Sequence, residues 1–189
     1  MGLRIVPLGP DTWDGFADLV DRNNGIFGGC WCIGFHLDRG ERAVDPREAK
    51  HERVLSNRAH AALVVDDEGA VQGWAQFGDV AELPGIKHRR VYEQDPPPAP
   101  DWRITCVFVD RHHRGQGVAR RAVEGALDLV AAAGGGLVEA IPEATQGRVA
   151  PGRFLFSATL ELFEDLGFER VRQVGKHAWV VSRRVGAAT

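Results

Sequence analysis

A short turn, Arg114–Ala119, has the residue types needed to bind a phosphate group. Gly115 and Gly117 carry no Cβ, so the main chain there can approach an anion closely. The turn lies between the apolar run 104–109 and a long segment rich in Ala and Leu, an order typical of a strand, a turn and a helix. The first turn of such a helix presents N–H groups and a positive dipole end, and Arg114 adds a forked donor. We therefore expect a phosphorylated ligand at this turn.

The spacing of the glycines disfavours two common nucleotide-binding motifs. A Walker loop ends in Gly-Lys-Ser/Thr, but His177 follows the one Gly-Lys pair of this chain. A Rossmann fingerprint that begins at Gly115 requires Gly or Ala where the chain has Arg120. A dinucleotide-binding oxidoreductase is therefore disfavoured, although it stays open as an alternative.

Two segments together resemble the GNAT superfamily of acyl-CoA-dependent N-acetyltransferases. Arg114, Gly117 and Ala119 match the three defined positions of its pyrophosphate motif, Arg/Gln-x-x-Gly-x-Gly/Ala. Downstream, residues 162–169 resemble the helix-to-strand segment before the family's last hairpin. The resemblance covers roughly residues 60–182. It implies an N-acetyltransferase that moves an acetyl group from acetyl-CoA to a primary amine, directly and within a ternary complex.

The resemblance also implies which residues contact acetyl-CoA. In this family the fourth and fifth strands separate, and the pantetheine arm of CoA pairs with strand main chain. The expected contacts are therefore Val107, Phe108 and Val109 for pantetheine and Arg114, Gly115, Gln116, Gly117, Val118 and Ala119 for pyrophosphate.

Two residues near the second motif bear on the same cofactor. Ser157 is a candidate CoA contact or, equally, a plain helix cap. Phe163 occupies a cofactor-binding position at which many members carry a tyrosine that protonates the departing thiolate. Phe163 has no proton to give, so a catalytically weak CoA-binding sensor stays open as a second alternative.

Glu139 is the candidate general base. It interrupts the apolar run 137–141, where an ionised side chain is costly unless it has a partner or a task. A raised pKa would suit a group that takes a proton from an ammonium, directly or through water. The alternative is a strand-end residue that reaches solvent or pairs with an arginine. Tyr92, the only tyrosine, is a weaker candidate for a catalytic acid than for packing.

The segment Gly29–His36 contains Cys30 and Cys32 and is the other unusual part of the sequence. Zinc binding lacks a fourth ligand at a clear spacing, so no metal is expected. Buried packing and lining of the acceptor pocket both remain open. The family resembled commonly shapes its acceptor site with this loop, which implies Trp31 and Phe35 as pocket walls. Cys106 is the third expected pocket residue.

Hydrophobic periodicity predicts the elements that position these residues. Asp11-Thr12 caps a first helix that ends near Asn23, and Asp45 caps a polar helix to about Ser56. The later predicted elements are a hairpin at 61–65 and 69–77, a Pro-rich connector at 95–100, strand 102–109, helix 116–133, strand 137–141, a loop around 142–152, helix 156–166, and strands near 168–174 and 178–183.

The order strand, Gly turn, helix, strand predicts a parallel pair with a right-handed crossover, within a mixed α/β fold. The full expectation is one GNAT-like domain over residues 1–189, with a central mostly antiparallel sheet flanked by helices. Residues 1–60 would form a helical acceptor side, and residues 61–183 the sheet and acetyl-CoA-binding core.

Composition limits the partners. The chain of 189 residues is 44% hydrophobic, enough for a sizeable core, and its net charge of −3 disfavours nucleic acid. No apolar run reaches membrane length, and three cysteines give no disulfide framework. We expect a cytoplasmic enzyme that acts on a small-molecule or peptide amine. The identity of the amine and homodimer formation are left open.

Overall fold

The computed structural model describes residues 2–147 and 155–188. Seven strands form one sheet in the order β1-β2-β3-β4-β5-β7-β6, in which β4 and β5 are parallel and the other neighbours are antiparallel. This confirms the predicted mixed α/β fold with a mostly antiparallel sheet and one parallel pair. The elements are β1 Arg4–Pro7, α1 Trp13–Arg22, α2 Pro46–Leu55, β2 His60–Val65, β3 Val71–Asp79, α3 Arg89–Tyr92, β4 Trp102–Val109, α4 Val118–Ala132, β5 Gly136–Ala140, α5 Leu160–Asp165, β6 Glu169–Gln173 and β7 Trp179–Val185.

The predicted bounds agree best where the local signal is strong. Strand β4 spans the predicted 102–109, and α2 begins as predicted because Asp45 accepts hydrogen bonds from the N–H groups of Arg47 and Glu48. The connector 95–100 contains neither helix nor strand. The short elements β1 and α3 were not predicted, because four residues carry too little periodicity.

The start of α5 differs from the prediction of a helix over 156–166. The helix begins at Leu160, with Thr159 as the capping residue that accepts from the Leu162 N–H. Ala158 has a φ of +59°, a left-handed conformation that cannot belong to the same helix. Part of the expected loop, residues 148–154, lies outside the described residues.

Two apolar layers cover the sheet. On one face, α4 packs its small residues Ala122, Gly125 and Ala126 against the strands, and a Cβ at Gly125 would lie 2.7 Å from Ile5 of β1. On the other face, α1 and the turns after it pack around Trp74. Within the described residues, no helix is long and apolar enough to cross a membrane.

Candidate active site

The strands β4 and β5 separate halfway along β4. Their pairing ends at Ile104 and Ala140, although β4 continues to Val109. The register between β3 and β4 skips Thr105, so this residue forms a β-bulge at the point of separation. A bulge bends its strand and increases the local twist, which explains why β4 leaves its parallel neighbour here. The result is an open edge on the second half of β4.

The main chain of β4 faces this opening at alternate residues. The Asp110 N–H donates to the Gln72 carbonyl of β3. Because main-chain groups alternate between the two edges of a strand, the N–H and C=O groups of Val107 and Val109 point away from β3, toward the opening. Both residues and Phe108 line a cleft of about 840 Å³. The other walls come from the end of α1 and the following turn, from α5 and from the segment before it; they are Arg22, Asn23, Asn24, Ile26, Phe27, Leu155, Phe156, Ala158, Thr159 and Leu162.

The cleft continues into the turn between β4 and α4. Gly115 and Gly117 have φ angles of +73° and +81°, which favour glycine, and a Cβ at either position would have no protein atom within 4 Å. A cavity of about 340 Å³ contacts both glycines and Val118, and Arg114 and Ala119 line it together with the larger cleft. Exposed N–H groups of the first turn of α4 and the Arg114 guanidinium therefore converge on a space that suits an anion.

Gln116 is the one expected turn residue outside both cavities. Its side chain is exposed and donates to the His112 carbonyl at 3.1 Å, so it braces the turn. His112 and His113 belong to a short 3-10 turn, Arg111–His113, beside the glycines.

Phe163 does not line the cleft. It is wholly buried and packs edge-on against Phe168, with ring centres 4.9 Å apart. Leu162 and Thr159 present the cleft-facing side of α5 instead. We therefore withdraw the expected cofactor contact of the Phe163 side chain, because helix periodicity turns adjacent positions to different faces.

Ser157 is neither a helix cap nor a residue of the large cleft. It is buried three residues before α5 begins, and its hydroxyl accepts from Lys87 Nζ at 3.1 Å. The same ammonium pairs with Glu143 at 2.6 Å and lies 5.0 Å from the centre of the Phe156 ring. Sequence reasoning missed Lys87 and Glu143, because their meeting depends on the sheet order and not on any local motif.

The segment that carries Phe156 lies against the open edge of β4. The Phe156 carbonyl accepts from the Val107 N–H at 2.7 Å. Around its ring are Phe35 at 6.1 Å and Phe27 at 6.3 Å, measured between centroids. Phe27 and Phe156 line the large cleft, whereas Phe35 lines a smaller cavity beside β5.

Glu139 is nearly fully buried at 2% exposure and lines this smaller cavity, of about 20 Å³. The Tyr92 hydroxyl donates to Glu139 Oε2 at 2.7 Å, and Arg103 Nε lies 3.3 Å from Oε1. Burial raises the pKa of Glu139 above its ordinary value, and the donors from Tyr92 and Arg103 oppose the rise. Burial, together with the bond to Glu139, raises the pKa of Tyr92 to about 12. Tyr92 is therefore a donor to Glu139.

The three residues that were expected to line the acceptor pocket lie in different parts of the structure. Phe35 lines the small cavity together with Glu139, as a pocket wall would. Trp31 is buried under Arg47, whose guanidinium lies 5.5 Å from the ring centre, and stacks on Trp13 at 5.8 Å. Cys106 is buried against Cys32 on the α1 side of the sheet. We withdraw Trp31 and Cys106 from the pocket, because their side chains belong to the second apolar layer.

Metal binding finds no support in residues 2–147 and 155–188. No group of three or more His, Cys, Asp or Glu side chains there is arranged to hold a metal ion. The glycine turn, the main-chain edge of β4 and the cleft lie next to one another and share Val109, Arg114, Ala119 and Leu162 as lining residues.

Known structures share the fold of this chain. An acetyltransferase from Corynebacterium glutamicum, solved as a histone acetyltransferase-related protein, aligns over 100% of this chain and 98% of its own with a TM-score of 0.59 and 17% identity. Arylalkylamine N-acetyltransferase 2 from Aedes aegypti aligns over 98% and 100% with a TM-score of 0.55 and 14% identity. An N-acetyltransferase from Staphylococcus aureus aligns over 98% and 99% with a TM-score of 0.54 and 15% identity. These similarities establish a shared fold.

A search of proteins with curated function found no significant sequence match. The model of the acetyltransferase (GNAT) family matches residues 29–149, which include β4, the glycine turn and β5. Sequence, fold and site geometry thus agree, and the chain belongs to the GNAT acetyltransferase family, a class of acyltransferases.

Proposed function

We propose that this protein transfers an acetyl group from acetyl-CoA to a primary amine, directly and within a ternary complex. One observation carries the proposal: the open main-chain edge of β4 and the glycine turn line a continuous cleft that ends at Arg114. An extended chain with amide groups fits such an edge as an added strand would, and a pyrophosphate fits the turn.

The residues that would hold acetyl-CoA follow from this arrangement. Val107 and Val109 offer main-chain groups, Phe108 and Leu162 offer apolar contacts, and the turn offers N–H donors beside Arg114. When bound, acetyl-CoA supplies an acetyl group activated as a thioester. The Val107 N–H is occupied by the Phe156 carbonyl, so an oxygen that gains negative charge on this edge would rely on another main-chain donor, such as the Val109 N–H.

The amine must lose its proton before it attacks, and Glu139 is the proposed acceptor of that proton. Its carboxylate lies in the small cavity, and about 20 Å³ is enough for one water molecule. Glu139 would therefore act through a relay water and not by direct contact. Arg103 and Tyr92 keep the buried carboxylate in place between turnovers.

The acceptor would enter from the side of Phe35 and Lys87, next to the small cavity. Residues 1–60 are expected to form the helical acceptor side, and three of them, Asn23, Asn24 and Phe27, line the proposed cofactor cleft as well. We therefore propose that the whole chain acts as one domain whose N-terminal part borders both ligands.

A thermal-shift assay with acetyl-CoA tests the cofactor assignment. The wild type should gain melting temperature with acetyl-CoA but not with NAD, since ligand binding to the folded state alone stabilises it by about 2.7 kcal/mol at one hundred times Kd. Arg114→Glu should lose most of the shift, whereas Arg184→Glu, at an exposed position of β7, should keep it. Equal shifts in both variants would refute the pyrophosphate site.

Release of free CoA thiol across a panel of amines then separates enzyme from sensor. Turnover with at least one amine supports transfer. A thermal shift without turnover on any amine would favour the CoA-binding sensor, an alternative that the buried phenyl ring of Phe163 keeps open. A shift with NAD alone would favour the oxidoreductase.

A further inference from the structure

Two cysteines far apart in sequence meet inside the protein. Cys32 lies in the turn after α1, and Cys106 lies in β4, directly after the bulged Thr105. Their sulfur atoms are 2.7 Å apart, and the residues are only 5% and 3% exposed. Both are free thiols in this structure. A disulfide requires about 2.05 Å between the sulfurs, so a movement of less than about 1 Å would join them.

The turn holds Cys32 in this place by an unusual backbone. Trp31 and Cys32 have φ angles of +47° and +51°, a left-handed conformation that is costly for residues other than glycine. Packing of the Trp31 ring between Trp13 and Arg47 fixes the turn on one side. The contact between Cys32 and Cys106 fixes the other side of the turn.

The pair is not part of the proposed active site, and it has a charged neighbour. Lys50 is 1% exposed; its Nζ lies 2.9 Å from His36 Nε2 and 2.6 Å from Gln76 Oε1. Burial lowers the pKa of Lys50 to about 8, while the nearby thiols of Cys32 and Cys106 act in the opposite direction. An adjacent ammonium favours the thiolate form on which oxidation depends.

We propose that Cys32 and Cys106 form a reversible redox site that hydroperoxides convert to a disulfide. One sulfur, as thiolate, attacks a peroxide oxygen, which yields a sulfenic acid and hydroxide. The second sulfur then attacks the sulfenic sulfur and releases water. With hydrogen peroxide, two thiols and one peroxide give one disulfide and two waters. The Cys32–Cys106 hydrogen bond and burial raise the pKa of the Cys32 thiol, so oxidation will be slow at neutral pH.

The bond would connect two walls of the cofactor cleft. Ile26 and Phe27 belong to the same turn as Cys32, and Val107 follows Cys106 directly; all three line the cleft. Oxidation would therefore fix the turn against β4, and it would close a loop between positions separated by 74 residues. Such a covalent loop restricts the unfolded chain, so the oxidised protein should unfold at a higher denaturant concentration.

Peptide mapping of the full-length protein after hydrogen peroxide treatment tests the proposal. Remaining thiols are alkylated in denaturant without reductant, and the digest is examined by mass spectrometry. We expect a cross-linked Cys32–Cys106 peptide, alkylated Cys30, and recovery of all three thiols after dithiothreitol. Cys30→Ser should still form the bond, because Cys30 lies outside the pair.

Three results would overturn the proposal: a Cys30–Cys32 link, alkylation of both Cys32 and Cys106 after prolonged oxidation, or a Cys32–Cys106 link that forms only in denaturant. Cys106→Ala should abolish the link and the rise in denaturant midpoint. Because the wild-type map needs no variant, the proposal stays testable if Cys106→Ala does not fold.

Discussion

At the scale of single residues, the environment of Glu139 sets its chemistry. The carboxylate is almost completely buried, yet it accepts from Tyr92 and lies beside Arg103. Burial favours the protonated form, and the two donors favour the ionised form. The pKa is raised on balance, which brings Glu139 closer to the pH at which a base is effective.

Replacement of Glu139 by Gln removes the proton acceptor and keeps the shape. We expect kcat/KM to fall roughly 10²- to 10⁴-fold and the acidic limb of its pH profile to disappear. Glu169→Gln, at an exposed position of β6, is the matched control and should change neither. An unchanged rate and pH profile in Glu139→Gln would exclude Glu139 as the base.

Tyr92→Phe tests the positioning role of the phenol. The Tyr92 hydroxyl lowers the pKa of Glu139, so its loss should raise that pKa further. The acidic limb of kcat/KM should therefore move to higher pH by about one to two units, the equivalent of a hydrogen bond to a charged group. A role in packing alone would lower the melting temperature and leave the limb in place.

At the scale of elements, Asp110 connects α1 to the glycine turn. Its buried carboxylate accepts from Arg22 Nε at 2.9 Å, Asn23 Nδ2 at 3.1 Å and the His112 N–H at 2.8 Å. Burial alone would raise the pKa of Asp110, but these donors hold it well below its ordinary value. Asp110 therefore fixes the direction in which the chain leaves β4 and enters the glycine turn.

Asp110→Asn should lower the free energy of unfolding by about 2 kcal/mol at pH 7, because hydrogen bonds to a charge are lost. A depressed pKa stabilises the fold above the unfolded-state value of ~3.9, and this contribution disappears as pH falls toward the folded-state value. The difference between wild type and variant should thus shrink below about pH 4 in urea titrations.

Asp128→Asn, at an exposed position of α4, is the control and should match the wild type. The acetyl-CoA thermal shift of Asp110→Asn should also decrease, because the turn is no longer held. A gap between wild type and Asp110→Asn that keeps the same size from pH 7 to pH 2 would contradict the electrostatic origin.

At the scale of the whole molecule, the two faces of the sheet differ in the polar side chains that they bury. The layer under α4 is formed by apolar side chains, whereas the side of the sheet covered by α1 and α2 also buries Lys50, His36 and Gln76. Burial lowers the pKa of His36 to about 2, so its imidazole is neutral and accepts from the Lys50 ammonium. The global stability should therefore depend on the charge of Lys50.

Replacement of Lys50 by Met removes the buried ammonium, so comparison with the wild type measures how the charge of Lys50 affects stability. The pKa of Lys50 is about 8 in the folded protein, below the ~10.4 of an unfolded lysine, so the unfolded state binds more protons between these values. The stability of the wild type relative to Lys50→Met should thus rise as pH increases from about 8 to about 10. Tyr92 titrates in both proteins, so its contribution cancels in the comparison.

Urea titrations at several pH values measure this difference. Lys176→Met, at an exposed lysine, should give curves parallel to those of the wild type. A difference between wild type and Lys50→Met that does not change with pH would mean that Lys50 remains fully charged in the folded protein.

The features that sequence predicted are those with local causes. Strand β4, the glycine turn and α4 follow from periodicity and from the positive φ angles that Gly115 and Gly117 supply. The start of α2 follows from Asp45 and Pro46, because a cap acts on the next two or three N–H groups. The family resemblance rested on the same turn, and the family match confirmed it.

The sequence by itself therefore determined the fold class and the place of the glycine turn, since both are encoded by neighbouring residues. The tertiary structure alone decided that Tyr92 meets Glu139, that Cys32 meets Cys106, and that Phe163 faces the core. The first two contacts join residues 47 and 74 positions apart, and they exist only because the sheet order brings those segments together. The third depends on which face of α5 packs against the sheet, which in turn depends on a helix start that Ala158 and Thr159 set.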